Sequence, residues 1–303
     1  MNATKVEGAT PIATKGLVLR RAQARWYDSL AAVLTLGRDR QLRERLAELA
    51  RLRPGDAVVD VGCGTGTLAL AAKRRVGMGG TVIGVDASPE MIALARRKAA
   101  RRGADVEFQV AVAERLPFAA AGFDAVLATL MLHHLPGPVR RDFAREALRV
   151  LKPGGRMLAV DFSAPSPRRG GLLARLHRHG GMSIERMIVL LRDAGFRIDE
   201  TGSVGVSDLQ YVLATSPIPG VELDGSAPVS RSLDPLPTPR WVLPALGVAL
   251  VAGHLAVVRG LSSTLALSVA AMAGVAAIVV AAHVAVGGIA RARARRGRGD
   301  GAQ

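Results

Sequence analysis

Three glycines at alternate positions, Gly62, Gly64 and Gly66, follow an apolar run that is closed by an acid, Asp60. A second apolar run ends at another acid, Asp86, 20 positions after Gly66. Glycine has no Cβ, so a chain rich in it can turn sharply and lie against a ligand. A helix starting after such a turn offers unpaired N–H groups to whatever occupies it. A carboxylate at the end of a second strand can accept both hydroxyl hydrogens of a ribose. The spacing therefore describes a nucleoside-bearing cofactor lying across the ends of parallel strands. A nicotinamide dinucleotide would need the pattern G-x-G-x-x-G, with glycine at position 67. That position is Thr67. Asp60 would also repel a pyrophosphate, whereas it could orient a sulfonium or a free amino group. The local chemistry favours a cofactor that carries an amino acid.

A paired His133-His134 follows a third apolar run, at the end of the sheet where the ligand belongs. An imidazole titrates near pH ~6.5 and can take a proton from an acceptor. The alternative for both residues is to cap the turn that follows. His177 and His179 belong to a basic stretch, and no spacing of His, Cys, Asp or Glu suggests a metal site. Cys63 is the only cysteine, which excludes an intrachain disulfide and suits a reducing compartment.

These residues need a scaffold, and the hydropathy pattern supplies one. After a tail over 1–16, in which no signal peptide is expected, residues 17–53 carry a helical pattern that Gly37 divides. Apolar strands and amphipathic helices then alternate. Strands are expected over 57–61, 81–85, 106–110, 124–129 and 156–162, and helices over 67–75, 89–102 and 140–151. A helix over 183–194 and a closing strand pair over 196–201 and 209–215 complete the set. Such βα alternation implies a doubly wound, mostly parallel α/β sheet.

With the scaffold in place, Asp60-Val61-Gly62-Cys63-Gly64-Thr65-Gly66 resembles the first motif of the class I S-adenosylmethionine-dependent methyltransferases. Further motifs follow in that family's order: Val85-Asp86-Ala87-Ser88-Pro89-Glu90-Met91, Ala113-Glu114-Arg115-Leu116-Pro117-Phe118, Phe123-Asp124-Ala125-Val126 and Leu151-Lys152-Pro153-Gly154-Gly155. The Tyr27-Asp28 pair and the Leu-Pro-Phe segment are most similar to the branch that holds the ubiquinone and menaquinone biosynthesis methyltransferases. The resemblance covers roughly 17–215.

The resemblance implies a seven-stranded Rossmann-like sheet and S-adenosyl-L-methionine as cofactor. It implies that Gly62, Gly64 and Gly66 pass beneath the methionyl part and the adenosine. By the same resemblance, Asp60 orients the amino group, directly or through a water, and Asp86 holds the ribose. Ala87 and Met91 would flank the adenine, and Ala113 would offer it a backbone N–H. Leu130 would lie by the methionyl chain, and Tyr27 would close over the cofactor. The branch commonly has Asp where this chain has Val112, so either Glu114 takes over the adenine amino group or that hydrogen bond is absent.

The C-terminal third differs in kind. Residues 216–240 are rich in Pro, Ser and Gly and read as a linker. Two uncharged runs follow, 18 residues over 241–258 and 31 over 260–290. A membrane span takes about 20 apolar residues, so 241–290 is expected to form a two-helix transmembrane hairpin. The basic tail over 291–303 would then lie on the cytoplasmic side, and the catalytic domain with it. The formal charge of +16 favours anionic partners such as lipid headgroups. No basic patch is interleaved with aromatics, which argues against nucleic acid. Residues 163–181 mix Arg168, Arg169, Arg175 and Arg178 with Leu172, Leu173 and Leu176, a composition suited either to a bilayer surface or to a solvated loop. The expected activity is methyl transfer to a small, lipophilic acceptor, a quinone precursor or a lipid. The alternatives are a tethered enzyme for a soluble metabolite and a non-catalytic membrane scaffold.

Overall fold

The computed structural model describes residues 38–163, 182–206, 208–221 and 227–236. Tyr27, the basic stretch over 164–181, residues 241–290 where a transmembrane hairpin is expected, and the tail over 291–303 lie outside the described residues. Among the described residues, no helix is long and apolar enough to cross a membrane.

Helix α1 (Asp39–Leu49) precedes β1 (Ala57–Val61), α2 (Thr67–Val76), β2 (Thr81–Asp86), α3 (Pro89–Arg101) and β3 (Glu107–Val110). Then come β4 (Phe123–Thr129), a short 3-10 turn (Leu132–His134), α4 (Gly137–Val150), β5 (Leu151–Phe162), α5 (Ile184–Asp193), β6 (Arg197–Ser203), β7 (Leu209–Thr215) and β8 (Val229–Ser230). Their order across the sheet is β3-β2-β1-β4-β5-β7-β6-β8. Only β7 runs against its neighbours. The C-terminal ends of β1, β2, β4, β5 and β6 therefore open at one edge.

Burial explains why the central strands read as continuous apolar runs. Helices cover both faces, so successive side chains enter two different cores. Val58 joins Leu42 and Leu46 of α1 and Ile92 of α3 on one face. Val59 and Val61 join Phe143 and Ala147 of α4 and Met187 and Leu191 of α5 on the other. Helix α3 starts where Ser88 accepts the Met91 N–H at 3.3 Å, with Pro89 in the first turn. Both features fit a helix start, where N–H groups lack partners and proline's missing N–H costs nothing.

The sheet has eight strands where seven are expected. The extra strand comes from the stretch read as a linker, which the sequence pattern missed because its pairing needs no periodicity. Val229 and Ser230 pair in parallel with Glu200 and Thr201. Beyond them, the Arg231 N–H donates to the Thr201 carbonyl (2.7 Å), Leu233 to Ser203 (3.1 Å) and Leu236 to Gly205 (3.2 Å). The Arg45 guanidinium of α1 donates to the Asp234 carbonyl at 2.7 Å and to the Val204 carbonyl at 3.0 Å. Residues 227–236 thus form a strap that runs along β6 and leaves at the edge where the parallel strands end.

Glycine at position 202 permits this approach: a Cβ there would lie 1.6 Å from the Arg231 carbonyl oxygen. Gly202→Ala should therefore lift the strap and leave the central sheet intact. Amide exchange at Arg231, Leu233 and Leu236 should accelerate roughly tenfold or more, equivalent to about 1.4 kcal/mol. Unchanged protection at those three amides would contradict this account of the strap.

Candidate active site

The turn between β1 and α2 is built from backbone conformations that favour glycine. Gly62, Gly64 and Gly66 have φ of 68°, 53° and 76°. Their surroundings differ. A Cβ on Gly62 would meet Met131 Cβ at 2.9 Å, and one on Gly66 would meet the Phe108 ring at 2.6 Å. A Cβ on Gly64 would meet none of the described residues within 4 Å. Two glycines therefore allow the turn to pack on its neighbours, and the third leaves a bare backbone beside open space.

Asp86 holds that turn. Its Oδ2 accepts the Gly64 N–H and its Oδ1 the Ser88 N–H, both at 2.9 Å. One side chain thereby links the glycine turn, the end of β2 and the start of α3. Burial raises its pKa, and these two amides work against that rise. Each oxygen keeps a lone pair for a ribose hydroxyl.

Asp60 is fully buried, and among the described residues neither of its oxygens has a partner in good hydrogen-bond geometry. Burial pushes its pKa up to about 7; the Arg43 charge and the Ala69 amide moderate the rise, and the Asp86 charge adds to it. Buried carboxylates are rarely left without donors, so an orphaned one calls for a missing partner. Beneath the same turn, burial pushes the Cys63 thiol well above its usual range, with Asp60 and Asp86 adding to the effect. That thiol is a packing group and not a nucleophile.

Leu130 closes the other wall. It has φ 57°, a conformation that a bulky residue seldom adopts, and its N–H donates to the Val160 carbonyl at 2.8 Å. This bend carries Met131 over Gly62 and delivers His133 and His134 to the same edge. Met91 is buried in the first turn of α3, and Ala87 is exposed beside it. Val112 bridges to Arg115, with Ala113 and Glu114 half-buried between them. Among the described residues, no cluster could hold a metal ion.

One residue was not singled out from sequence. Asp161, fully buried near the end of β5, accepts from His133 twice. Its Oδ2 takes the His133 backbone N–H at 2.9 Å, and its Oδ1 lies 2.7 Å from His133 Nδ1. The Phe162 N–H also donates to Oδ1, at 2.8 Å. The signal was present in the chain: like Asp60 and Asp86, Asp161 is an acid near the end of an apolar strand. The His133 side chain is 9% exposed. His134 is exposed and its ring packs on His133, centroids 3.8 Å apart.

Residues 58–155 match a family model described as a methyltransferase domain. A demethylmenaquinone methyltransferase of Thermus thermophilus is 38% identical over 154 residues, which cover 50% of this chain and 67% of that protein. The chain belongs to the class I S-adenosylmethionine-dependent methyltransferases.

A ubiquinone/menaquinone biosynthesis C-methyltransferase of Azotobacter vinelandii is 38% identical over 142 residues, 46% of this chain; the match spans about half of that relative's length, 55%. Among solved structures, an S-adenosylmethionine-dependent methyltransferase of Aquifex aeolicus aligns with TM-score 0.54 over 65% of this chain and 98% of that one. At 23% identity that likeness speaks for the fold alone. The [4+2]-cyclase SpnF aligns with TM-score 0.51 and 26% identity over 59% of this chain and 81% of that one.

S-adenosylmethionine is the cofactor of this methyltransferase, and the residues present fit it. Gly64 offers bare backbone, Asp86 has lone pairs for a ribose, and Asp60 is a carboxylate in want of a donor. When bound, the cofactor supplies a methyl group activated by a positively charged sulfur.

The Asp60 carboxyl has a measurable consequence. Between its ordinary value of 3.8 and about 7, the folded chain holds a proton that the unfolded chain has lost. Stability of the cofactor-free protein therefore falls as pH rises through that window. Asp60→Asn should melt higher than the parent above pH 7, with the difference closing toward pH 4. Calorimetry with the cofactor should show parental affinity weakening below pH 7 and the variant weaker at pH 8 and flat with pH. A parent whose affinity does not change across that range would argue against an ionised Asp60 facing the cofactor.

Proposed function

We propose that this methyltransferase places a methyl group on a ring carbon of a lipophilic phenol or hydroquinone, a quinone precursor, at a membrane. The observation that carries the reading is the similarity to relatives named as quinone-pathway methyltransferases, joined in one chain to two long uncharged runs. Those runs would span the bilayer, with the domain and the arginine-rich tail on its cytoplasmic side.

The strap supports this reading. It leaves β6 at the edge where the glycine turn, Leu130 and His133 lie, and Trp241 follows only five residues after Leu236. Five residues reach at most ~18 Å. A span starting there would hold the ligand edge close to the bilayer, so a lipid-soluble acceptor would meet the site without crossing water. Ser163 and Met182, which flank the arginine- and leucine-bearing stretch, lie at the same edge. Tethering then acts by effective concentration.

The test follows from the position of the strap. A chain ending after Leu236 keeps the strap and lacks both uncharged runs. On a long-chain hydroquinone in phospholipid vesicles, its rate should fall by about tenfold or more relative to the full chain, the loss of effective concentration expected of an untethered enzyme. On a short-chain, water-soluble hydroquinone the two proteins should agree within about twofold, because nothing in the described site has changed. Equal rates on the vesicle substrate would favour a soluble-metabolite enzyme that is merely tethered. Failure of calorimetry to detect S-adenosylmethionine binding would favour a scaffold.

A further inference from the structure

We infer that Asp161 is a positioning residue that fixes the proton of His133 on Nδ1, leaving Nε2 as the base that ionises the acceptor. The inference rests on the proposed phenolic acceptor and adds a residue, a tautomer and a division of labour to it.

The geometry makes the assignment. Asp161 is fully buried, and its oxygens already accept two backbone N–H groups, from His133 and Phe162. A carboxylate only accepts, so the 2.7 Å contact between Oδ1 and Nδ1 requires the hydrogen on Nδ1. Nε2 then carries its lone pair. Because the same carboxylate also grips the His133 backbone N–H, it holds the residue at its main chain and at Nδ1 of the ring. The ring is packed against His134 on one side and lies edge-on to Phe162, centroids 6.0 Å apart. The titratable groups against His133 among the described residues are Asp161 on β5 and His134 beside it. The segment leading into His133 rests on the cofactor turn, since Met131 lies against Gly62.

The proton and electron pairs then balance. Nε2 takes the hydroxyl proton of the acceptor, and the pair left on oxygen makes an ortho or para ring carbon nucleophilic. A carbon–carbon bond forms to the methyl as its bond to sulfur breaks, the pair staying on sulfur. The ring hydrogen at that carbon leaves as a proton and aromaticity returns. That ring proton passes to water and the phenolate oxygen takes its proton back from Nε2, so one proton is released per methyl transferred. The ion pair of a protonated His133 with Asp161 steadies the charged imidazole in between.

Two measurements on the full chain test this. Nitrogen NMR of the His133 ring in the cofactor-free protein should report the Nδ1–H tautomer, and Asp161→Asn should shift it toward Nε2–H. A parent in the Nε2–H form overturns the inference, whatever the acceptor. Kinetics with two water-soluble phenols, one neutral and one already ionised at the assay pH, provide the second test. Asp161→Asn should lower kcat on the neutral phenol by about 100-fold, with cofactor affinity unchanged, and spare the ionised one. His133→Gln should do the same if the Asp161 variant fails to fold. Its rate should also keep rising with pH as the phenol ionises, where the parent levels off. Equal losses on both phenols, or losses confined to cofactor affinity, would assign the pair a structural role and overturn the inference. A parent that methylates neither phenol refutes the proposed acceptor, an outcome distinct from parallel losses.

Discussion

A single carboxylate ties the site together. Asp86 accepts the Gly64 amide from the β1 turn and the Ser88 amide from the start of α3, both at 2.9 Å. The parallel register of β1 and β2 brings them into reach, with Val61 beside Val85 at the strand ends. The glycines allow the turn, but this bond sets where its bare backbone faces. The same oxygens remain able to take ribose hydroxyls, so the group that organises the turn is also a group that meets the ligand. Few substitutions at this position could keep both roles.

Three acids, each near the end of a buried strand, meet the cost of burial in three ways. Asp86 is met by backbone amides. Asp161 is met by amides and by the imidazole of His133. Asp60 has neither in good geometry among the described residues; the Ala69 amide only moderates the effect of burial, which raises its carboxyl to about 7. An unpaired buried carboxylate works against folding, and the surrounding apolar packing on both faces of the sheet must offset it. A positively charged cofactor relieves that cost on binding. Leu130, at φ 57°, adds a strained backbone position at the edge where these acids lie.

The likeness to a [4+2]-cyclase is instructive, because a shared sheet does not dictate a shared reaction. In this chain the chemistry-bearing groups are strand-end residues and not the sheet itself. The strap adds a feature of a different order. By running parallel to β6 it returns the chain to the ligand edge. Its dependence on glycine at 202 and on Arg45 of α1 ties it into the domain and separates it from a passive connector.

Much was determined by the chain itself. The apolar runs located the strands, with β1 and β7 matching end to end, because a strand buried on both faces must be apolar throughout; β5 starts at Leu151 and not at Arg156, since its first residues, Lys152-Pro153-Gly154-Gly155, carry no apolar run. The glycine spacing, Asp60 and Asp86 were legible because a tight turn beside a ligand restricts residue type locally. The eighth strand was not legible: two exposed residues that pair only through backbone groups leave no pattern in side chains. The role of Asp161 was hidden for a related reason. Its partner His133 is 28 positions away, and only the pairing of β4 with β5 brings the two together. Sequence alone determined which residue types stand where strands end and helices begin. Tertiary structure decided which of those acids is satisfied, which is orphaned and which imidazole nitrogen is left open, since each depends on neighbours that the chain order keeps apart.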